Sequence, residues 1–195
     1  MGSLRTVDLD GFLEFLFKTQ TVQSIAVDGA NRKWVGTANG AYLLSPDGKE
    51  ELLHFTVDNS PLPDNSVRSI ALNQKTGEVF IGTDAGIVSY QGDAIEGNRV
   101  FSADALVFPN PVRPEYNGPI TVRGLATNAN VKITDVNGKL VYETDALGGQ
   151  LVWDGRDYNG RRVQTGVYLV FSSTNPREAG LAQPDAAVAK ILFVN

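Results

Sequence analysis

The sequence predicts an all-β chain, and three observations support this prediction. Strand and turn signals in the first half occur twice in nearly the same order. In the second half, short apolar segments lie roughly 8–12 residues apart, each bounded by turn residues. Twenty glycines and nine prolines among 195 residues favour turn-rich β structure. We therefore expect strands throughout and no long helix.

The repeat in the first half is typical of propeller blades. "SIAVDGANRKWVGTANGAYLL" (Ser24–Leu44) returns as "SIALNQKTGEVFIGTDAGIVSY" (Ser69–Tyr90). A period of about 40–50 residues made of short strands is the sequence signature of β-propellers. Propellers close with about four to eight blades. Two copies, near 22–46 and 67–91, therefore predict a partial β-propeller of about two blades over residues 1–104, taken from a longer protein.

Each copy predicts three strands joined by tight turns. In the second copy these are Ser69–Leu72, Glu78–Thr83 and Ile87–Tyr90. The run Val79–Ile81 is continuously apolar, which indicates a strand covered on both faces, as in a blade stacked between two others. The segment "GFLEFLF" (Gly11–Phe17) is compatible with a strand or a short helix, and we favour the strand.

The second half predicts a seven-stranded immunoglobulin-like β-sandwich over residues 105–195. Prolines cluster just after Asp104 and allow only an irregular edge strand there. Asn137-Gly138 is a strong hairpin signal, and Ser173–Asp185 is a long polar connection. The further strands are expected at Ile120–Arg123, Val131–Thr134, Leu140–Glu143, Leu151–Trp153, Gly166–Ser172 and Val188–Val194.

Composition narrows the range of functions. The net charge is −5 and the isoelectric point about 4.9, with no cluster of basic residues, so nucleic-acid binding is disfavoured. The chain has no cysteine, which removes disulfides, thiolate zinc sites and thiol catalysis. No stretch reaches the roughly 18–20 apolar residues of a membrane-spanning helix.

We predict no catalytic, cofactor-binding or metal site, and therefore no enzyme. His54 is the single histidine, and nothing marks a nucleophile or an orienting group for a triad. "DGRDYNG" (Asp154–Gly160) resembles a calcium loop only superficially, because the first ligand and the bidentate glutamate are missing. We expect Asp154 and Asp157 to bond nearby backbone N–H groups instead. "SPDGKEE" (Ser45–Glu51) is likewise expected to be a turn.

Aromatic residues at repeat positions could line a glycan site, but blade packing is the favoured interpretation for Trp34, Tyr42 and Tyr90. Trp153 and Tyr168 are expected in the sandwich core. The glycines of "LGGQ" lack the lysine and the helix that a phosphate loop needs.

Several motifs resemble known families. "WVGTANG" (Trp34–Gly40) and "FIGTDAG" (Phe80–Gly86) resemble the two-component-regulator propeller repeat of Bacteroidetes. The second half is similar to the C-terminal domains of type IX secretion proteins. "WDGRDYNGRRVQTGVY" (Trp153–Tyr168) resembles the FlgD-type immunoglobulin-like domain. The further matching motifs are "VFPNP" (Val107–Pro111), "VKITDVNGKLVYE" (Val131–Glu143), "GVYLV" (Gly166–Val170) and "AKILFVN" (Ala189–Asn195).

The order of these motifs resembles cell-surface propeller proteins of the type IX secretion machinery. The resemblance implies a non-enzymatic structural or adaptor component, with the sandwich as docking module, located at the outer-membrane surface or in the periplasm. It implies a PorU-like sortase as protein partner and anionic lipopolysaccharide as ligand. Two alternatives stay open: a secreted cargo protein whose tail is a sorting domain, and a periplasmic ligand-sensing propeller. We also expect self-association through blade faces that lack a neighbour.

Overall fold

The computed structural model describes residues 7–9, 12–14, 17–98, 105–174 and 186–194. The regular elements in these ranges are antiparallel strands, which confirms the all-β prediction. No helix in these ranges is long and apolar enough to cross a membrane. The chain divides into two compact units, Met1–Gly92 and Asp93–Asn195. The boundary predicted at 104/105 adjoins 99–104, which lie outside the described residues, and it stays a prediction.

The first unit contains two propeller-type blades, each built as a meander in sequence order. The predicted strand in Gly11–Phe17 is present at Phe12–Glu14, paired with Val7–Leu9. The two-stranded sheet is β1 (Val7–Leu9) and β2 (Phe12–Glu14); the first blade is β3 (Val22–Val27), β4 (Lys33–Thr37), β5 (Gly40–Leu44) and β6 (Glu51–Phe55); the second blade is β7 (Val67–Asn73), β8 (Glu78–Thr83) and β9 (Gly86–Gln91).

The two blades pack through faces that the repeat makes equivalent. We call front face the side of the first blade that carries Trp34 and Leu43, and back face the side that carries Val35 and Tyr42. The front face of the first blade packs on the back face of the second, which presents Ile81. The first blade therefore buries its front face on the back face of the blade that follows, as in a propeller.

In the described part of the chain, no further blade covers the front face of the second blade. Phe80 occupies the position of Trp34, yet it is 40% exposed where Trp34 is 1% exposed. Ile87, at the position of Ala41, is 75% exposed. The expectation that Val79–Ile81 is covered on both faces is therefore wrong for this chain, because only Val79 and Ile81 face the first blade.

The second unit is a sandwich of seven strands, as predicted. A three-stranded sheet has the order β10-β11-β14, and a four-stranded sheet has the order β13-β12-β15-β16. Their inner faces share one core around Ile133, Trp153, Ile191 and Phe193. The strands are β10 (Leu106–Phe108), β11 (Ile120–Arg123), β12 (Asn130–Asp135), β13 (Leu140–Asp145), β14 (Gln150–Trp153), β15 (Gly166–Ser173) and β16 (Ala186–Phe193).

Local bonds explain the turns and edges of this sandwich. The Tyr168 hydroxyl donates to the Gln164 carbonyl at 3.0 Å, which is the geometry of a tyrosine corner. Gly138 has φ +82° in the β12–β13 hairpin, a conformation that suits glycine, so the Asn137-Gly138 signal is confirmed. In the predicted connection Ser173–Asp185, residues 175–185 lie outside the described residues.

The proline-rich segment covers part of one sheet edge. The Asn110 side chain donates to the Lys190 carbonyl and accepts from the Leu192 N–H. Val112 then exchanges backbone bonds with Leu192 and Val194. The C-terminal half of the outer β16 edge is thereby protected from pairing with another strand.

Candidate interaction surfaces

His54 lies on β6 in a packing position. Its ring stacks on Tyr42 with the centroids 3.9 Å apart, and its Nε2 lies 3.0 Å from the Asn39 carbonyl oxygen. Tyr42 in turn meets Phe17 edge-on. The imidazole thus joins a back-face aromatic group of the first blade. One face of its ring packs on Tyr42, and one ring nitrogen lies within hydrogen-bond distance of a backbone carbonyl.

The acidic turns bind their own backbone. Oδ1 of Asp154 accepts from the Arg156 N–H, and Oδ1 of Asp157 accepts from the Asn159 and Arg161 N–H groups. The bonds predicted for these two carboxylates are therefore present. The backbone bond from Arg161, followed by those from Asn159, lowers the pKa of Asp157. Within the described ranges, no group of three or more metal-ligating side chains could hold an ion.

The predicted turn in Ser45–Glu51 and the glycine motif "LGGQ" (Leu147–Gln150) are both held by internal hydrogen bonds. In Ser45–Glu51, the Ser45 hydroxyl donates to Asp47 and accepts from the Lys49 and Glu50 N–H groups. The bond from Ser45 lowers the pKa of Asp47. In "LGGQ", the Leu147 N–H donates to the Gln150 carbonyl, which closes a tight turn.

The aromatic residues of the repeat pack between blades. The ring of Trp34 lies 6.1 Å from that of Phe55 and 5.7 Å from that of Tyr90. Trp153 and Tyr168 lie in the sandwich core, as predicted. These contacts favour a packing role for the aromatic residues over a glycan platform.

An apolar surface lies on the outer side of the four-stranded sheet. Outward side chains of β15 and β16 lie opposite each other, with Val167 opposite Leu192 and Phe171 opposite Val188. Outward positions of such a sheet are usually polar, because that side faces water. We define the sandwich patch as Leu140, Val167, Leu169, Phe171, Val188 and Leu192.

The charges around the sandwich patch are few. Lys190 projects from the same face and lies opposite Leu169. Lys132 lies opposite Phe171 and is paired with Glu143 at 3.5 Å. A polyanionic surface needs several cations for strong attraction. An apolar protein surface therefore suits this patch better than a lipopolysaccharide headgroup does.

A second candidate is an apolar cleft of about 80 Å³ in the first unit. The outer strand of the first blade and the following loop supply one wall, with Phe55, Pro61 and Leu62. The back face of the second blade supplies the other, with Val88 and Tyr90. The cleft opens beside β9. The equivalent position in the first blade, beside β5, is occupied by the fourth strand, β6.

Sequence reasoning missed both surfaces. A signal for the sandwich patch is present, since "GVYLV" (Gly166–Val170) and "AKILF" (Ala189–Phe193) contain apolar residues at neighbouring positions instead of alternating. The cleft has no comparable signal, because its walls come from segments that only the fold brings together.

Fold and surfaces define a chain of propeller blades followed by an immunoglobulin-like sandwich. Residues 115–175 match the family model of the FlgD Ig-like domain. No curated protein sequence is significantly similar to the chain.

Among solved structures, the chain is similar to PorZ of Porphyromonas gingivalis, described as an essential bacterial surface component of the type IX secretion system. The two share 35% identity with a TM-score of 0.62, over 98% of this chain and 25% of PorZ. The chain thus spans about a quarter of the length of PorZ. The predicted resemblance to PorZ-like type IX secretion proteins is confirmed.

Two further similarities are weaker. The chain is 22% identical to latent PorU of P. gingivalis over 60% of this chain and 12% of PorU, with a TM-score of 0.37. It is 12% identical to the extracellular domain of a hybrid two-component system of B. thetaiotaomicron, over 89% of this chain and 44% of that domain, with a TM-score of 0.35. Neither carries an argument about function.

Proposed function

We propose that the chain is part of a non-enzymatic adaptor of type IX secretion at the cell surface, in which the sandwich is the docking module. The observation that carries the proposal is the similarity to PorZ, which extends through both units instead of covering the sandwich alone. A sorting tail attached to an unrelated cargo protein would match in the sandwich only.

The sandwich patch is the proposed docking surface. Phe171 and Val188 are 41% and 58% exposed at neighbouring positions of β15 and β16. Contiguous exposed apolar surface of this kind marks protein contact sites. The proposed partner is a PorU-like sortase of the same bacterium. The resemblance alone supports anionic lipopolysaccharide as a second proposed ligand, and the sparse cations of the sandwich patch do not favour this patch as its binding site.

The docking role is tested by binding of the purified chain to the PorU-like sortase. Phe171→Asp and Val188→Asp place a charge in the centre of the patch, and each should weaken binding about tenfold or more if it removes an interface anchor. Leu106→Asp is the matched control, since Leu106 is 60% exposed on the opposite, three-stranded sheet. Equal affinity of all three variants and the wild type would contradict docking through the patch.

We also propose that copies of the isolated chain associate with one another through exposed blade faces. The uncovered front face of the second blade carries Phe80 and Ile87, and it suits the back face of another blade. The back face of the first blade offers a smaller apolar surface for this contact, because Ile25 is 64% exposed but Val35 and Tyr42 are buried. Light scattering should show association that Ile87→Lys weakens; a monodisperse monomer at high concentration would contradict it.

A further inference from the structure

We infer that Asn117 is a site of spontaneous covalent modification, at which the side-chain amide is converted to aspartate and isoaspartate without an enzyme. The reactive sequence is Asn-Gly, because glycine has no side chain to hinder attack by its own backbone nitrogen. Four such dipeptides are present, and they begin at Asn39, Asn117, Asn137 and Asn159. Sequence alone does not rank the four asparagines, whereas their hydrogen bonds in the fold do.

The reaction begins at the backbone nitrogen of the glycine. After this nitrogen loses its proton to solvent, it attacks Cγ of the asparagine and closes a five-membered succinimide ring. The bond from Cγ to the amide nitrogen breaks, and that nitrogen takes a proton and leaves as ammonia. Water then opens the ring at either carbonyl, which gives aspartate or isoaspartate. Such an intramolecular attack needs a free glycine N–H and an asparagine side chain that can turn toward it.

Three of the four glycine N–H groups are held by hydrogen bonds to backbone carbonyls. These bonds run from Gly40 to Asn65 at 2.8 Å, from Gly138 to Asp135 at 3.1 Å and from Gly160 to Asp157 at 2.9 Å. A bonded N–H exchanges its proton only when the bond opens. Loss of the proton that starts the reaction is therefore suppressed at these three sites.

The two hairpin turns have a further restraint. Oδ1 of Asp135 accepts from the Asn137 N–H at 2.8 Å and from the Lys139 N–H at 2.9 Å. These bonds hold the backbone on both sides of the reacting pair, and Asp157 holds the second turn in the same way. Each turn must therefore lose several bonds before its asparagine can react.

Asn117 lacks these restraints. In the described part of the chain, the Gly118 N–H donates to no acceptor. Asn117 itself is exposed, and its Nδ2 donates to the Glu115 carbonyl at 3.3 Å, a long bond that breaks readily. Both groups that must meet in the succinimide are therefore available in the folded chain.

The modified residue would lie in a loop that is anchored on both sides. The Tyr116 hydroxyl donates to the Pro119 carbonyl at 2.7 Å, and Nη2 of Arg162 donates to the Tyr116 carbonyl at 2.7 Å. Either product adds one negative charge between these anchors, and isoaspartate also adds a methylene to the main chain there. The reaction thus changes the charge and the backbone length of the connection between β10 and β11.

The test is incubation of the folded chain at mildly alkaline pH, followed by digestion and mass spectrometry of the four Asn-Gly peptides. The reference is the same chain unfolded in guanidinium chloride, in which no hydrogen bond protects any site. Relative to this reference, Asn117 should be slowed less than about threefold and the other three sites about tenfold or more, since bonded amides react only on opening. Equal protection of all four sites, or faster conversion at another site, would overturn the inference.

Two variants test the assignment further. Asn117→Gln keeps the amide but requires a larger ring, so it should remove most of the ammonia that the folded chain releases. Asp135→Ala deletes the bonds that hold its turn, and it should speed conversion at Asn137 while leaving Asn117 unchanged. Gly118→Ala is unsuitable, because an added Cβ would lie 2.7 Å from the Tyr116 hydroxyl. Unchanged ammonia release in Asn117→Gln, or an unchanged rate at Asn137 in Asp135→Ala, would overturn the inference.

Discussion

The backbone N–H of Ile70 donates to the hydroxyl oxygen of Ser24 at 2.9 Å. This bond joins the first strand of one blade to the first strand of the next. Ser69 is the repeat equivalent of Ser24, but it lies on the uncovered front face of the second blade and is exposed. The same residue type therefore has two environments, which makes the pair a measure of blade-to-blade contact.

Ser24→Ala should destabilise the first unit by about 0.5–1.5 kcal/mol, because it leaves the Ile70 N–H without its acceptor. The measurement is urea unfolding followed by the fluorescence of Trp34, the tryptophan of this unit. Ser69→Ala is the control and should change the free energy of unfolding by much less. Similar losses for both variants would contradict the importance of the blade contact.

Gly36→Ala should cost about 1–3 kcal/mol, since overpacking a closed interface is destabilising. A Cβ at Gly36 would lie 2.7 Å from Cγ1 of Val67, a fully buried β-branched residue. At the equivalent Gly82, the close contact of a Cβ would be the Ser69 hydroxyl at 2.5 Å, which can rotate away, and its next neighbours lie at 3.8 and 3.9 Å. Gly82→Ala should therefore be the milder change in thermal or urea unfolding, and the reverse order would argue against the packing described.

Tyr168→Phe should destabilise the second unit by about 0.5–1.5 kcal/mol, because it deletes the bond to the Gln164 carbonyl. Tyr158→Phe removes a hydroxyl from a residue that is 61% exposed and serves as the control. Trp153 reports the unfolding of this unit. An unchanged midpoint for Tyr168→Phe would show that the corner bond contributes nothing to stability.

Asp84 should titrate below its ordinary pKa of 3.8. Arg68 donates two bonds to its carboxylate, at 2.7 and 2.6 Å, and these bonds are the main cause of the lowered pKa. The stabilisation is present above the unfolded-state pKa and is lost as pH falls through the folded-state value. Because both side chains are exposed, the effect on stability is small.

NMR titration of the side-chain carboxyl groups measures this directly. Arg68→Gln should raise the pKa of Asp84 toward 3.8. It should leave Asp157 unchanged, because the pKa of Asp157 is lowered mainly by backbone N–H bonds within its own turn. A wild-type midpoint at or above 3.8 for Asp84 would contradict the paired geometry.

Local signals were enough to predict most strands. Glu78–Thr83 and Ile120–Arg123 have the predicted bounds, because turn residues lie at their ends. The last strand was predicted at Val188–Val194 and is found at Ala186–Phe193. Its beginning follows 181–185, outside the described residues. Its pairing with Ser173 extends it to Ala186.

The surfaces depend on long-range packing and could not be predicted in the same way. The apolar run Val79–Ile81 has the pattern of a strand covered on both sides. The sequence does not show that, among the described residues, a blade packs on only one of these sides. The cleft likewise requires Phe55 and Val88, which are far apart in sequence, to face each other across the blade interface.

The proposed role of the second unit is tested most directly by the export of unrelated cargo proteins from cells whose full-length protein lacks residues 105–195. The measurement is quantitative proteomics of the cell surface and culture medium, with the intact protein restored as control. An adaptor predicts that many cargo proteins are lost from both fractions together. Loss of the truncated protein alone, with all other cargo exported normally, would contradict the adaptor role and identify the unit as a sorting tail.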